Sequence, residues 1–334
     1  MANIRLIAKH ANVSTSTVSR VLNNQDNVSD ATRKLVWQTA QELNYPLEKL
    51  SVAPPISRSV LVLLRDDGVN DSDLTISREF ERNVWKGVQS VFEQRGIATR
   101  LQNTKMLPEE AVQYAADTGI SGLVLLGGVS DHNFFRQLID AGLPFVVVGS
   151  HLQPIRVNCV MADVMPAIRR VVAHLAERGR SRIGLVNGPD TTMTSAAKLD
   201  GFQLELNLQG LPYSPTQVVA AEFSANAGYM KTQELLKSRT DLDAIIYADD
   251  VIAVGGMRSL REAGLTIPQD VAVVGFGDYE VSQFTAPALT TVRYDMYAMG
   301  VIAARRLHMI LDEPDDQHWV VMRPTELVVR DSSQ

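Results

Sequence analysis

Residues 4–23 read IRLIAKHANVSTSTVSRVLN, and two short helical periodicities lie within them. Ile4, Ile7, Ala8 and Ala11 recur at helical spacing, and Asn12 and Val13 break the pattern. Ser14 is placed to cap a second helix running to Leu22 or Asn23. Its inward residues are Val18, Val21 and Leu22, and its outward ones Thr15, Ser16, Ser19 and Arg20. After the run QDN, Ser29 caps a third helix from Asp30 to about Leu43, expected to bury Ala31, Leu35, Ala40 and Leu43. Three short helices with a tight bend between the first two make a helix-turn-helix.

The residue types on the second helix suit a DNA groove. Thr15 and Ser16 sit at its N-terminus, where side chains reach base edges. Arg20, one turn later, can bind a guanine edge or a phosphate. Ser14 and Thr17 offer hydroxyls to phosphates beside free helix N–H groups. Charge is distributed accordingly. Residues 1–58 hold seven basic and four acidic side chains, a net of +3, which leaves −9 on the rest of a chain whose total is −6. A basic head on an acidic body confines contact with a polyanion to the head.

The chain has 334 residues, 45% hydrophobic and 21% charged, a globular composition long enough for two or three domains. One cysteine, Cys159, excludes an intrachain disulfide and a cysteine-based zinc site. The first residues lack the apolar core of a secretory signal, and no run approaches the ~18–20 apolar residues of a membrane span. A cytoplasmic protein without membrane contact is expected. No P-loop, HExxH, GxSxG or GxGxxG in register occurs, and the six histidines are scattered. No catalytic residue, cofactor or metal is expected, and an enzyme is disfavoured.

The head closely resembles the lactose-repressor/galactose-repressor family of bacterial transcription regulators. The matching residues include Ile4, Ile7, Ala8, Ala11, Val13, Ser14, Thr17, Val18, Ser19, Arg20, Val21, Leu22 and Asn23. Val28, Ser29, Thr32, Arg33, Leu43 and Tyr45, in VSDATRKLVWQTAQELNY, extend the match. The resemblance implies that Thr15, Ser16 and Arg20 read bases, with Ser14, Thr17, Asn23 and Ser29 completing the DNA-binding set. The linker departs from it. The family continues Arg-Pro-Asn into a hinge helix, whereas residues 46–58 read PLEKLSVAPPISR. Pro46 comes one position early, the Asn is absent, and Pro54-Pro55 would stop a helix, so a stiff linker is expected. Leu50 or Val52 could serve as the groove wedge that a family hinge carries.

From Ser59 onward short apolar runs alternate with amphipathic helical segments. The strand candidates are 60–64, 97–101, 122–128, 144–149, 182–188, 218–223, 244–249 and 271–276, and a helix over 78–95 carries Phe80, Val84, Val88 and Phe92 on one stripe. Continuous aliphatic strands separated by helices mean parallel sheets covered on both faces, and so many strands divide into two doubly wound lobes. The fold expected is a small all-α helix-turn-helix head on an α/β body of two such lobes. The body too resembles the family, and through it the periplasmic sugar-binding proteins, in HLAERGRSRIGLVNGP (174–189), KLDGF (198–202), the segment 247–278, PALTTVRYD (287–295) and RPTELVVRDSS (323–333). The implied division is a head over 1–45, a linker over 46–58, one lobe from 59–160 and 292–320, and another from 161–291 and 321–334, with crossings near 160, 291 and 321.

The resemblance implies a small-molecule effector between the lobes. Lys198 stands where the family has an arginine, and Asp249 where it has a contact residue after a strand. Gly277 replaces the first acid of the usual Gly-Phe-Asp-Asp, Asp278 keeps the second, and Gly149 stands where an Asp often follows the fourth strand. Phe80 and Tyr294 complete the candidate effector set. Losing acids while keeping a cation suits a sugar acid; Asp249 argues the other way, and a neutral hexose or galactoside stays open. The function expected is a ligand-responsive repressor of a carbohydrate-use operon, bound to a pseudo-palindromic operator and located at the bacterial nucleoid when so bound. The chain stops after its last strand without the apolar heptads that pair dimers in some family members, so a homodimer rather than a tetramer is expected. The rivals are a stand-alone sugar-binding protein whose head makes protein contacts and, third, a nucleotide-dependent enzyme.

Overall fold

A computed structural model describes residues 3–22, 28–43, 45, 58–65, 79–104, 108–127, 132–149, 155–190, 192–239 and 241–334. The head has α1 (Ile4–His10), α2 (Thr15–Leu22) and α3 (Asp30–Glu42). Asn12, in the left-handed region at φ 50°, ends α1, and the Val13 N–H donates back to the Ala8 carbonyl at 3.0 Å. The bend is therefore a helix-terminating motif, and asparagine is one of the few side chains that accept its backbone. Ile7, Ala8, Ala11, Val18, Val21, Leu22, Val36, Trp37 and Ala40 form the head's core. The inward residues of α1 and α2 are those the spacing gives. On α3 the face differs: Ala31 is exposed and Leu35 is 46% exposed, while Val36 and Trp37 point inward. Both stripes share Ala40, and the bulk of Trp37 decides between them. The linker, apart from Arg58, lies outside the described residues.

The body continues with β1 (Ser59–Arg65), α4 (Glu79–Glu93), β2 (Ala98–Thr104), α5 (Pro108–Thr118), β3 (Ile120–Leu126), α6 (His132–Asp140), β4 (Phe145–Val148) and β5 (Cys159–Ala162). Next come α7 (Val164–Glu177), β6 (Ile183–Asn187), α8 (Met193–Leu208), β7 (Val218–Ala220), α9 (Ala225–Ser238), β8 (Ala244–Tyr247), α10 (Asp250–Glu262) and β9 (Ala272–Gly277). The chain closes with β10 (Thr290–Tyr294), α11 (Met296–Asp312), β11 (Val320–Arg323) and β12 (Thr325–Val328).

Among the described residues twelve strands form two six-stranded sheets, ordered β11-β5-β4-β3-β1-β2 and β12-β10-β9-β8-β6-β7. The pairs β1–β3, β3–β4, β4–β5, β5–β11, β6–β7, β6–β8, β8–β9 and β9–β10 are parallel, and β12 runs antiparallel to β10. Alternate residues of one strand feed opposite faces: Ala244 and Ile246 of β8 join the core under α7 and α8, while Ile245 and Tyr247 join the core under α9 and α10. Such a strand must be apolar throughout, which is why the runs read as continuous. Helices α9 and α10 cross closely. A Cβ on Gly255 would lie 1.8 Å from the Ala225 carbonyl oxygen, and one on Gly228 2.1 Å from that of Ile252.

The expected crossings near 160, 291 and 321 each fall inside a strand. The chain leaves β5 after Ala162, β10 after Tyr294 and β11 after Arg323. Pairing carries each strand past the expected crossing: β11 stays in register with β5 to Ala162, and β10 with β12 to Tyr294.

Candidate functional sites

On α2 the N-cap is Ser14, whose Oγ accepts the Thr17 N–H at 3.0 Å and lies 2.7 Å from the hydroxyls of both Ser16 and Thr17. A β-hydroxyl is what an exposed helix start requires. Thr15, Ser16 and Arg20 are exposed, and Thr17 is half-buried. Three candidate base readers thus share the open side of one helix whose other side is nailed down by Val18, Val21 and Leu22. Ser29 is exposed and caps α3, its Oγ 3.3 Å from the Thr32 N–H and 2.9 Å from the Thr32 hydroxyl. Asn23 lies outside the described residues.

In the body Lys198, Asp249, Gly277 and Tyr294 of the candidate effector set gather at the carboxyl ends of the second sheet, where ligands meet open α/β sheets. Lys198 on α8 is 5% exposed. Its ammonium donates to the Ala248 carbonyl at 3.1 Å and sits 4.8 Å from the centre of the Phe276 ring. Burial pulls its pKa down to about 8, against the opposing pull of Asp249. Asp249 is 8% exposed and caps α10, its Oδ1 accepting the Val251 N–H at 2.7 Å. Burial raises its pKa to about 6, while the cap, Tyr279 and Lys198 hold it back. Asp250 is fully buried beside it; the Tyr279 N–H (2.8 Å) and the Thr291 hydroxyl (2.5 Å) donate to its two oxygens. Burial lifts its pKa to about 8.

Tyr279 is the residue sequence reasoning missed. Its ring lies over Gly277, where a Cβ would approach Tyr279 Cε1 to 2.6 Å, and Gly277 has φ 130°. Glycine is therefore required there by backbone and by space. The Tyr279 side chain hydrogen-bonds with Asp249 and with Tyr294, and both tyrosine hydroxyls are pushed far above their usual range, first by burial and next by Asp249. The signal was an aromatic two residues after a glycine at a strand end.

Asp278 is a correction. The expected effector contact turns away at φ 52° and its carboxylate takes Arg330 at 2.5 Å and Arg293 at 2.6 Å. It fastens the last strands to the β9 turn, and offers no open carboxylate to a ligand. Phe80, at the start of α4, belongs to the other lobe. Its ring covers Gly149, whose absent Cβ would lie 2.9 Å from Phe80 Cζ. An aspartate side chain at 149 would occupy the space of that ring. Beside Phe80, Glu79 accepts the Glu280 N–H at 3.0 Å, a direct bond between the lobes. Among the described residues no group of His, Cys, Asp and Glu could hold a metal ion, and no helix is long and apolar enough to cross a membrane.

Comparison with known proteins supports both halves. Residues 3–46 match the lacI family of bacterial regulatory proteins, and residues 172–333 match a periplasmic binding protein-like domain. The HTH-type transcriptional regulator CelR of Thermobifida fusca is 30% identical over 339 residues, spanning 98% of this chain and 97% of that protein. The chain belongs to the lacI family. As a lacI-family protein it is a DNA-binding transcriptional regulator, not an enzyme. A structure of transcriptional regulator CelR in complex with cellobiose superimposes with a TM-score of 0.76 at 28% identity, covering 99% of this chain and 100% of that one. The lac repressor dimer bound to operator and the anti-inducer ONPF does so at 0.76 and 24% identity, covering 99% of each chain, a likeness of fold.

Proposed function

We propose that this lacI-family regulator is a homodimeric repressor of a carbohydrate-use operon, acting in the bacterial cytoplasm and at the nucleoid. Two heads read a pseudo-palindromic operator, since a twofold dimer demands symmetric half-sites. Thr15, Ser16 and Arg20 face base edges; Ser14, Thr17, Asn23 and Ser29 position the head on the backbone. Lys198 and Asp249, with Phe80, Gly277, Tyr279 and Tyr294 around them, hold the effector. The observation that carries this reading is the pairing of an exposed Thr15–Ser16–Arg20 face on α2 with a buried Lys198–Asp249 site at the strand ends.

Effector binding between the lobes shifts a two-state equilibrium and so changes operator affinity. A gel-shift with DNA from upstream of the protein's own gene tests this, run with and without a saccharide panel. Specific retention that a saccharide alters is the expected result. Absence of sequence-specific retention refutes the regulator's operator role, and retention that no saccharide alters refutes the carbohydrate effector.

A further inference from the structure

We propose that Thr325, oriented by Arg170, is the positioning residue of the interlobe hinge and ties the three crossings of the chain into one unit. The importance of that hinge to regulation rests on the reading of effector binding as a shift between two lobe arrangements. The chain passes between the lobes after Ala162, after Tyr294 and after Arg323. Thr325 meets all three passages. It follows the third directly, with Pro324 alone between it and β11. In β12 it stands opposite Tyr294, the last residue before the second. Its hydroxyl donates to the carbonyl of Asp163, the first residue after the first passage, at 3.4 Å. On the other side of Pro324 the Arg323 carbonyl accepts the Asp163 N–H at 2.9 Å. The first and third passages are thus stitched together on both sides of a proline.

The hydroxyl contact is long for an O–H···O bond and would hold its direction poorly by itself. Arg170 supplies the direction. Its Nη2 donates to the Thr325 carbonyl at 2.8 Å and to the Thr325 hydroxyl at 2.5 Å. A hydroxyl carries one hydrogen and two lone pairs; with the guanidinium on a lone pair, the hydrogen is left for Asp163. Arg170 lies at the surface of α7, the helix into which the first passage leads. Domain rotation is absorbed by backbone changes at a few such element ends. Untied, three passages can bend separately. Tied through one side chain, a change at any of them pulls on the other two, and the hinge has a single rotation in place of three bends.

The test is hydrogen exchange, read by mass spectrometry on the full chain without added saccharide. Thr325→Val keeps the shape of the side chain and removes the hydroxyl, Thr325→Ser keeps the hydroxyl, and Arg170→Met removes the guanidinium from an exposed position. Thr325→Val and Arg170→Met are expected to speed exchange several-fold around Asp163, Tyr294 and Thr325 together, with β4 and β8 unchanged. Thr325→Ser is expected to stay close to the wild-type rates. No acceleration, or acceleration confined to the Thr325 segment, overturns the proposal. Acceleration that extends to β4 and β8 also overturns it, by assigning Thr325 to overall stability, as does a Thr325→Ser chain that exchanges as fast as Thr325→Val. Operator retention that no saccharide alters would refute the effector reading, and the exchange rates would still decide whether Thr325 ties the crossings.

Discussion

Arg20 lies on the open face of α2, a little over one turn from Thr15 and Ser16. If it makes a bidentate base contact, Arg20→Ala costs about 1–3 kcal/mol of discrimination. Affinity for operator and for random DNA should be measured side by side; a phosphate contact would weaken both equally and leave their ratio intact. Lys198→Met keeps most of the aliphatic stem of the side chain and removes its donors. It is expected to lose about 1.5–3 kcal/mol of effector binding, the range for hydrogen bonds to charged groups. Operator affinity without effector should stay at the wild-type value, and a drop there would assign Lys198 to folding instead. Their placement, Arg20 outward on α2 and Lys198 beside the strand ends, was legible because motif position and side-chain chemistry agree. Asp278 was not, because the arginines that claim it, Arg293 and Arg330, lie 15 and 52 residues away in sequence. Tyr279 was hidden for a related reason: its importance comes from where a glycine lets the ring lie.

At the level of elements, α9 and α10 depend on small residues at their crossing. Gly255→Ala would drive a methyl against the Ala225 carbonyl, a backbone atom that cannot swing aside. The expected loss is about 1–3 kcal/mol or more, read as a lower urea midpoint at unchanged slope. A second element-level feature joins α7 to the end of the chain. His174 Nε2 lies 2.8 Å from the Ser333 hydroxyl, which in turn lies 2.8 Å from that of Thr290. Burial, helped by the Arg178 charge, lowers the His174 pKa to about 4. The unfolded chain takes up this proton near pH 6.5 and the native state only near pH 4. Stability from this site is therefore complete above about pH 6.5 and is lost as pH falls toward 4, by up to ~3 kcal/mol. Urea titrations of wild type and His174→Gln at pH 7, 5.5 and 4.5 should show the wild-type advantage shrinking with acid; a constant gap would mean that the histidine titrates normally. All eight strand candidates hold at least part of an observed strand, since apolar runs bounded by turn residues carry that information. The four further strands, β5, β10, β11 and β12, are short, four or five residues each, and β11 and β12 are edges none of whose residues is buried. Patterning is weakest there.

Across the whole body, the two lobes touch through Glu79 and the Glu280 amide. In the proposed mechanism that bond contributes to the lobe equilibrium on which an effector acts. Glu79→Ala is expected to speed hydrogen exchange at the Glu280 amide and to leave exchange in the β8 and β9 core strands unchanged. Equal rates in both proteins would show that the contact has no part in holding the lobes together.

The order of strands also bears on how the chain is made. The first lobe lacks α11 and its edge strand β11 until the second lobe's sheet has been synthesised through β10, and the second lobe lacks β12 until two residues after β11 ends. On a ribosome, where domains otherwise form in order of emergence, neither lobe can finish ahead of the other. Both are sealed by one short terminal passage, Val320 to Val328, so a chain cut just before it would present two unfinished sheet edges instead of one folded lobe and one fragment.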